Sequence, residues 1–371
     1  MLIGVDASRV TVARRTGTEL YSLRLIEALL GLGAVHRFRL YFNQPPAVGL
    51  FENVSPHVET RVIPLPRLWT HVRLGLEAAT RPPDLLFVPS HVLPLWTRPP
   101  AAVTVHDLGY LHFPEAHPRR QRWYLDWSTR HSARTARVVI ADSNATKRDL
   151  VTHYGVQPDK IVVAYPGFDP DLAPVVDTRT IATVKRRYGI HENYFLHIGT
   201  LQPRKNLTRL VQAFANLRPV TQVQLVLAGK RGWLYEDLFQ QVRRLGLEGR
   251  VLFPGYVDDL DKAALLSGAW AYVFPSLYEG FGFPAVEAQV CDTPLICANS
   301  SSLPEVAGEA ALLVDPLSVD DLTQAMALML TDATLRADLV VRGRCNRERF
   351  SWRACAETVM AALEAGLETG S

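Results

Sequence analysis

Two glutamates, Glu279 and Glu287, stand eight positions apart in the stretch SLYEGFGFPAVE, with Gly280, Gly282 and Pro284 between them. Carboxylates accept hydrogen bonds from hydroxyls, so the pair suits a hydroxyl-rich ligand such as a sugar or a ribose. Gly280 and Gly282 let backbone amides face a ligand closely. Pro284 fits the first position of a helix, where its missing N–H costs nothing. Free amides and a helix N-terminus together favour anions. The plain alternative is a strand–helix connection with a capping glutamate. That accounts for one Glu, but not for the whole stretch with Phe281 and Phe283.

Three further groups carry chemistry. In GTLQPRKNL, Arg204 and Lys205 precede a helix. Cations there oppose the helix dipole, so local stability does not explain them. A bound diphosphate does, because Arg forks onto two phosphate oxygens and Lys adds a point charge. Taken alone, the two also read as solvated charges. In VARRTGTELY, residues 12–21, Gly17 lets the backbone approach a ligand. The stretch is not GxGxxG, which argues against a dinucleotide site and a dehydrogenase. In VTVHDLGYLHFPE, His106 and Asp107 fall at a strand end. A lone His there is more often structural, but a strand end at a ligand cleft favours function.

The elements that position these groups follow from periodicity. Short apolar runs without alternation recur, as in LIGV, RLYF, LLFVPS, AAVTVHD and ARVVIADS, then YFLHIGT, VQLVLAG, AYVFPS and PLICAN. Such runs suit strands buried on both faces. Between them, TELYSLRLIEALLGLG and NLTRLVQAFANL repeat apolar residues at three and four. Alternating strands and helices imply an α/β protein with parallel sheets. The pattern restarts at NYFLHIGT, after the Pro- and Asp-containing stretch 167–180. We therefore expect two Rossmann-like, doubly wound domains, residues 1–167 and 168–351, facing each other across a cleft. In such sheets ligands bind beyond the carboxyl ends of the strands, where all four groups fall. The final segment, SWRACAETVMAALEAGL, reads as an amphipathic helix capped by Ser351.

Composition sets the outer bounds. The 371 residues are too many for one compact core. With 48% apolar and 21% charged residues the chain is globular, and a net charge of +3 argues for no particular partner. No apolar run is long enough for a transmembrane helix, and the start MLIGVDASRV lacks a signal-peptide pattern. The four cysteines show no CxxC spacing, which fits reduced thiols and a cytoplasmic location. No nucleic-acid footprint is expected. The one basic and aromatic block is RRQRWYLDWSTRHSARTAR, with Trp123 and Trp127 one helical turn apart among arginines. It reads either as a helix packing its tryptophans into the core or as a contact with anionic lipid at the inner membrane surface. The first reading is favoured.

EGFGFPAVE resembles the E-x7-E signature of retaining glycosyltransferases of family GT4, which have the GT-B fold. GTLQPRKNL, GKRGW, FPGYV, PSLYEGFGFPAVEA and SSLPEVAG are similar to that family in order and spacing, and HDLGYLHFPE extends the resemblance into the first half. Within it, the chain looks most like the mannosyltransferase B-like group. The resemblance implies transfer of a hexose, with GDP-mannose the favoured donor, to a glycan or lipid-linked acceptor in cell-surface polysaccharide synthesis. It implies that Glu287 binds the donor ribose, and that Glu279 lies at the transferred sugar with the amides of Gly280, Phe281 and Gly282. Arg204, Lys205 and Gly17 would meet the diphosphate, His106 the donor sugar, and the backbone at Tyr256 and Val257 the base. It also implies that the terminal helix, 352–371, joins the N-terminal domain. A UDP-sugar donor and a nucleotide-sugar 2-epimerase are the alternatives. No cofactor and no metal are expected, and the run Asp258, Asp259 and Asp261 reads as a solvated turn rather than a metal site.

Overall fold

The structure is a computed structural model, and it describes all residues except 13–16, 34, 48, 52–56, 117, 218–221 and 369–371. The chain forms two compact units: Met1–Gly167 with Phe350–Ser371, and Phe168–Arg349.

In the first unit, the described residues form a seven-stranded sheet of order β3-β2-β1-β4-β5-β6-β7. The strands are β1 (Leu2–Asp6), β2 (Arg37–Phe42), β3 (Val58–Val62), β4 (Leu85–Val88), β5 (Ala101–Val105), β6 (Val138–Ala141) and β7 (Ile161–Val163). All their pairings are parallel. β4, β5 and β6 are buried throughout, as runs of Val, Leu, Ile and Ala between two helical layers should be. The helices are α1 (Gly17–Gly31), α2 (Gly75–Thr80), α3 (Gly109–His112), α4 (Arg119–Thr135) and α5 (Asn144–Tyr154).

The second unit has a six-stranded sheet of order β10-β9-β8-β11-β12-β13. Its strands are β8 (Asn193–Ile198), β9 (Val223–Ala228), β10 (Val251–Leu252), β11 (Ala271–Phe274), β12 (Leu295–Ala298) and β13 (Leu312–Val314), again all parallel. Its helices are α6 (Thr178–Arg187), α7 (Leu207–Asn216), α8 (Glu236–Arg244), α9 (Asp259–Ser267), α10 (Phe283–Val290), α11 (Leu303–Ala307), α12 (Val319–Thr331) and α13 (Ala333–Arg347). Helix α7 shows the rule at work. Leu207, Leu210, Val211 and Phe214, spaced at three and four, are its buried stripe against the sheet core.

Both sheets reverse their winding once, between β1 and β4 and between β8 and β11. This is the Rossmann arrangement, in which the crevice at the reversal point holds the ligand. In the second unit the loops that open there come after β8 and β11. They carry Arg204–Lys205 and Glu279.

The terminal helix α14 (Trp352–Glu368) packs on the first unit. Arg137 Nε donates to Gly366 O at 3.1 Å, and His36 Nε2 meets Glu364 Oε1 at 2.6 Å. Ser351 caps it, its Oγ accepting from the Ala354 amide at 3.2 Å.

Candidate functional site

The loop after β8 makes a short 3-10 turn, Pro203–Lys205, and passes through Asn206 with φ 58° before α7 begins. That left-handed residue is held in place by its own side chain. Asn206 Nδ2 donates to Pro275 O at 3.1 Å and Pro316 O at 2.6 Å, so the β8 loop is fastened to the loop after β11. Leu277 N donates to Arg204 O at 2.9 Å, a second tie between them.

These ties bring three charges together. Lys205 Nζ lies 2.5 Å from Glu279 Oε1, and Arg204 lies 3.1 Å from Glu279 Oε2 while also donating to Tyr278 O at 2.8 Å. Glu279 is only 7% exposed. Burial alone would raise its carboxyl pKa. The Arg204 and Lys205 charges outweigh burial and hold the pKa below the ordinary carboxylate value. The set is thus two cations on one ionised carboxylate, a net positive site at the strand ends.

The backbone around Glu279 is fixed from α11. Ser302 Oγ donates to Glu279 O at 2.9 Å and to Phe281 O at 2.7 Å, and Glu279 N donates to Ser301 Oγ at 2.9 Å. Gly282 has φ 105°, and a Cβ there would sit 2.8 Å from Leu303 Cδ2, so both conformation and space require glycine. Gly282 is the N-cap of α10. The helix opens one residue before the sequence expectation, at Phe283, and Pro284 is its second residue. Phe281 is buried and packs edge-on against Phe283 at 5.2 Å.

Glu287, on α10, does not join this set. It takes Lys262 of α9, Nζ to Oε1 at 2.7 Å. Burial would lower the Lys262 pKa, and the Glu287 charge overcomes that and raises it. Each carboxylate of the bend therefore sits on a different lysine.

At the loop after β10, Gly255 has φ 83° and its carbonyl accepts from Gly229 N at 2.6 Å. Val257 is buried, and Tyr256 is exposed with Lys230 Nζ 5.7 Å from its ring centroid. The acidic run next in sequence is not a solvated turn throughout. Asp261 is buried, receives Arg187 Nη1 at 2.8 and 2.6 Å, and accepts from Tyr188 Oη at 2.9 Å. Its carboxylate fastens α6 to α9, which corrects the sequence expectation. Among the described residues, the group with metal-ligand spacing is His112, Asp149 and His153, in the first unit. It includes none of the carboxylates above.

In the first unit, His106 comes directly after β5 and is 8% exposed. Its Nδ1 meets Asp142 Oδ2 at 2.7 Å and its Nε2 faces Pro89 O at 3.3 Å, with Tyr21 edge-on at 4.6 Å. Burial lowers its pKa, and the Asp142 carboxylate more than reverses this, so the net shift is upward. With both nitrogens facing oxygen atoms, the ring is held in one orientation. Asp107 turns back to accept from Gly109 N at 2.8 Å and shapes the loop. Gly17 is the exposed first residue of α1. Residues 13–16 of its stretch lie outside the described residues.

The tryptophans of α4 do not pack into the core as expected. Trp123 is 67% exposed and Trp127 lies parallel to it, centroids 6.2 Å apart. The helix buries the small residues Ser128, Thr129, Ser132 and Ala133 instead.

Several site residues escape a reading of the sequence alone. Ser301 and Ser302 lie in the SSLPEVAG stretch, whose serines carry a helix-start signal but no charge. Lys262 and Asp142 sit in ordinary helical or strand-end context. His197, at the end of β8, is fully buried. It donates from Nδ1 to Val273 O at 3.0 Å, and burial pushes its pKa down to about 4.

Two family models match the chain. "Glycosyltransferase Family 4" covers residues 15–172 and "Glycosyl transferases group 1" covers 182–345. The chain is 33% identical to the O-antigen chain mannosyltransferase B of Escherichia coli, over 71% of this chain and 70% of that protein. It is 29% identical to the serotype-specific mannosyltransferase WbdA of the same organism over 62% of this chain, but spans only 28% of that longer protein. Among solved structures, HepE of Anabaena in complex with UDP and glucose superposes with a TM-score of 0.75 at 21% identity, covering 98% of this chain and 99% of that one. A sucrose-phosphate synthase of Thermosynechococcus elongatus gives 0.76 at 23%, with full coverage of both chains. With both Rossmann-like units matched, and the mannosyltransferase B likeness over most of both chains, this chain belongs to the family 4, group 1 glycosyltransferases of GT-B fold.

Proposed function

We propose that the protein is a retaining mannosyltransferase that moves mannose from GDP-mannose to a hydroxyl of a glycan or lipid-linked acceptor, without a metal. The observation that carries this is the pairing of Arg204 and Lys205 on Glu279 at the reversal point of the second sheet. Negative charge grows on the leaving diphosphate as the sugar–phosphate bond breaks, and cations fixed beforehand stabilise it most. Arg204, Lys205 and the N-terminus of α10 supply that field. In the step, the acceptor oxygen bonds to the anomeric carbon on the face that the diphosphate leaves. The hydroxyl proton passes to the departing phosphate oxygen. Glu279 holds sugar hydroxyls beside the reacting face, with the amides of Gly280, Phe281 and Gly282, and Glu287 takes the ribose hydroxyls. The base lies at Tyr256 and Val257. His106 presents its held ring to the donor sugar, and Gly17 gives an amide to the diphosphate.

Mannose rests on the likeness to the Escherichia coli mannosyltransferases, and the guanine base on the resemblance of the sequence motifs to the mannosyltransferase B-like group. A UDP-sugar donor is the second reading, supported by the UDP-glucose complex of the structurally similar HepE. A thermal-shift panel of GDP- and UDP-sugars tests both. A specific donor at 100 times its Kd stabilises the fold by about 2.7 kcal/mol. Stabilisation by GDP-mannose and not by UDP-sugars is the expected result. The reverse pattern overturns the donor assignment.

A further inference from the structure

The first unit holds a cluster of metal-ligating side chains that the donor chemistry does not use. His112 ends α3, and Asp149 and His153 lie four residues apart on α5, hence on one face of that helix. His112 Nε2 lies 3.1 Å from Asp149 Oδ2, and the two imidazole rings stand edge-on with centroids 5.5 Å apart. One ligand atom from each of the three side chains lies within 4.8 Å of the other two. Around a tetrahedral Zn²⁺ with bonds of about 2.0–2.1 Å, ligand atoms stand about 3.4 Å apart. His112 and His153 are exposed, so a turn of their rings closes the difference without moving the backbone.

A buried layer beneath the cluster fixes its spacing. Tyr110 of α3 and Tyr154 of α5 are buried, and their hydroxyls meet at 2.8 Å. Tyr154 Oη also donates to Asp126 Oδ1 of α4 at 2.9 Å. Tyr110 stands two residues before His112, and Tyr154 directly follows His153. The packed tyrosine contact therefore sets how far apart the two histidines stand. A ligand set needs this kind of rigid support.

An ion pair alone does not account for the three residues. An exposed pair such as His112 with Asp149 is worth little, and His153 adds nothing to it. Two imidazoles and a carboxylate are instead a ligand set for a borderline divalent ion, with the remaining position open to water. Hard Mg²⁺ and Ca²⁺ favour oxygen ligands throughout.

We propose that His112, Asp149 and His153 form a site for a borderline divalent transition-metal ion such as Zn²⁺, which clamps α3 to α5. α3 has only four residues, too few to be stable as a helix by itself. A bond from its last residue to α5 adds order where the chain has least of its own. The clamp is structural. His106, earlier in the same loop, is held by Asp142 and Pro89, so the ion changes the stability of the segment and leaves the donor chemistry alone.

The test is calorimetric titration of Zn²⁺ into the full chain, prepared without a histidine tag. It is compared with His112→Ala and His153→Ala, and with two controls at exposed residues outside the cluster, His57→Ala and Cys345→Ser. All four side chains are exposed, so folding should survive, and an unchanged circular dichroism spectrum verifies it. The native chain and both controls should bind one Zn²⁺ with the same affinity, and Mg²⁺ should not compete for it. Each cluster variant should weaken binding by at least about tenfold. Zn²⁺ should raise the native Tm and slow amide hydrogen exchange over residues 109–113, and should do neither in His153→Ala. A native chain that binds no Zn²⁺, cluster variants that bind like the native chain, or loss of binding in Cys345→Ser would each overturn the site. Zn²⁺ bound with exchange over 109–113 unchanged would overturn the clamp.

Discussion

Glu279→Gln separates the two jobs that the carboxylate does. In the ligand-free chain it neutralises Arg204 and Lys205, with contacts at 3.1 and 2.5 Å inside a site where all three side chains are at most one-fifth exposed. Removing one partner of a buried pair costs about 3–5 kcal/mol because the other charge is left uncompensated. Glutamine keeps the volume and one acceptor oxygen, so we expect about 2–4 kcal/mol, which at about 2–4 °C per kcal/mol lowers the Tm of a unit this size by roughly 5–15 °C. GDP then acts differently on the two proteins. On the proposed reading, its diphosphate would compete with Glu279 for the cations in the native chain. In the variant nothing competes, so the GDP-induced rise in Tm should be larger than in the native chain while turnover falls sharply.

Differential scanning fluorimetry with and without GDP, beside a transfer assay, reads all three quantities. The pH dependence adds a check on sign. The folded pKa of Glu279 is depressed, so its contribution is complete above the unfolded value, about 4.3, and is lost as pH falls through the folded value. The Tm gap between native and variant should therefore be full at pH 7 and close in acid below that range. A variant with native Tm, or with a smaller GDP shift than the native chain, would refute the reasoning that the three charges form one site for the diphosphate.

Arg204→Ala should weaken GDP binding by about 1.5–3 kcal/mol, the worth of a charge-assisted hydrogen bond. Calorimetry that shows unchanged affinity removes Arg204 from the phosphate site. Activity should persist in excess EDTA if Arg204 and Lys205 are the cations at the leaving group, as proposed; activity lost there and restored by Mn²⁺ or Mg²⁺ contradicts this.

Much of this arrangement is legible in the sequence because central strands of the second sheet have no exposed face. AYVF and LICA are buried at every residue, so hydrophobicity alone marks them. The residues next after each strand must then lie at its carboxyl end, and the charged ones there stand out. The strand order is not legible, since it depends on pairings far apart in sequence, such as Tyr272 with Leu196. Nor is the choice of partner. Glu279 and Glu287 look alike as letters, yet one meets Lys205 and the other Lys262, because one precedes the bend at Gly282 and the other lies beyond it on a helix. Trp123 departs from expectation for a related reason. Its helical spacing with Trp127 predicts a face, but spacing does not say which face is turned to the sheet. The small residues one turn further on decide that.

The Arg204 and Lys205 contacts with Glu279 also bear on how a substrate could be exchanged. A pocket with Arg204 and Lys205 and no anion would hold two uncompensated cations in low dielectric, which is costly. A pocket with the carboxylate permanently locked on them would resist the diphosphate. The geometry avoids both extremes. Glu279 is held by its backbone, through Ser301 and Ser302, and not by the cations alone. On the proposed reading, it would give up Lys205 to a diphosphate without the loop losing its shape. Removing the serine hydroxyl should then matter even though it touches no charge. In Ser302→Ala, the carbonyls of Glu279 and Phe281 lose their shared donor, and the loop would depend on the ion pair for its shape. GDP would then break the contact that orders the loop, and affinity should fall despite an intact Arg204 and Lys205. Native GDP affinity in that variant, measured by calorimetry, would show that the ion pair suffices to hold the loop.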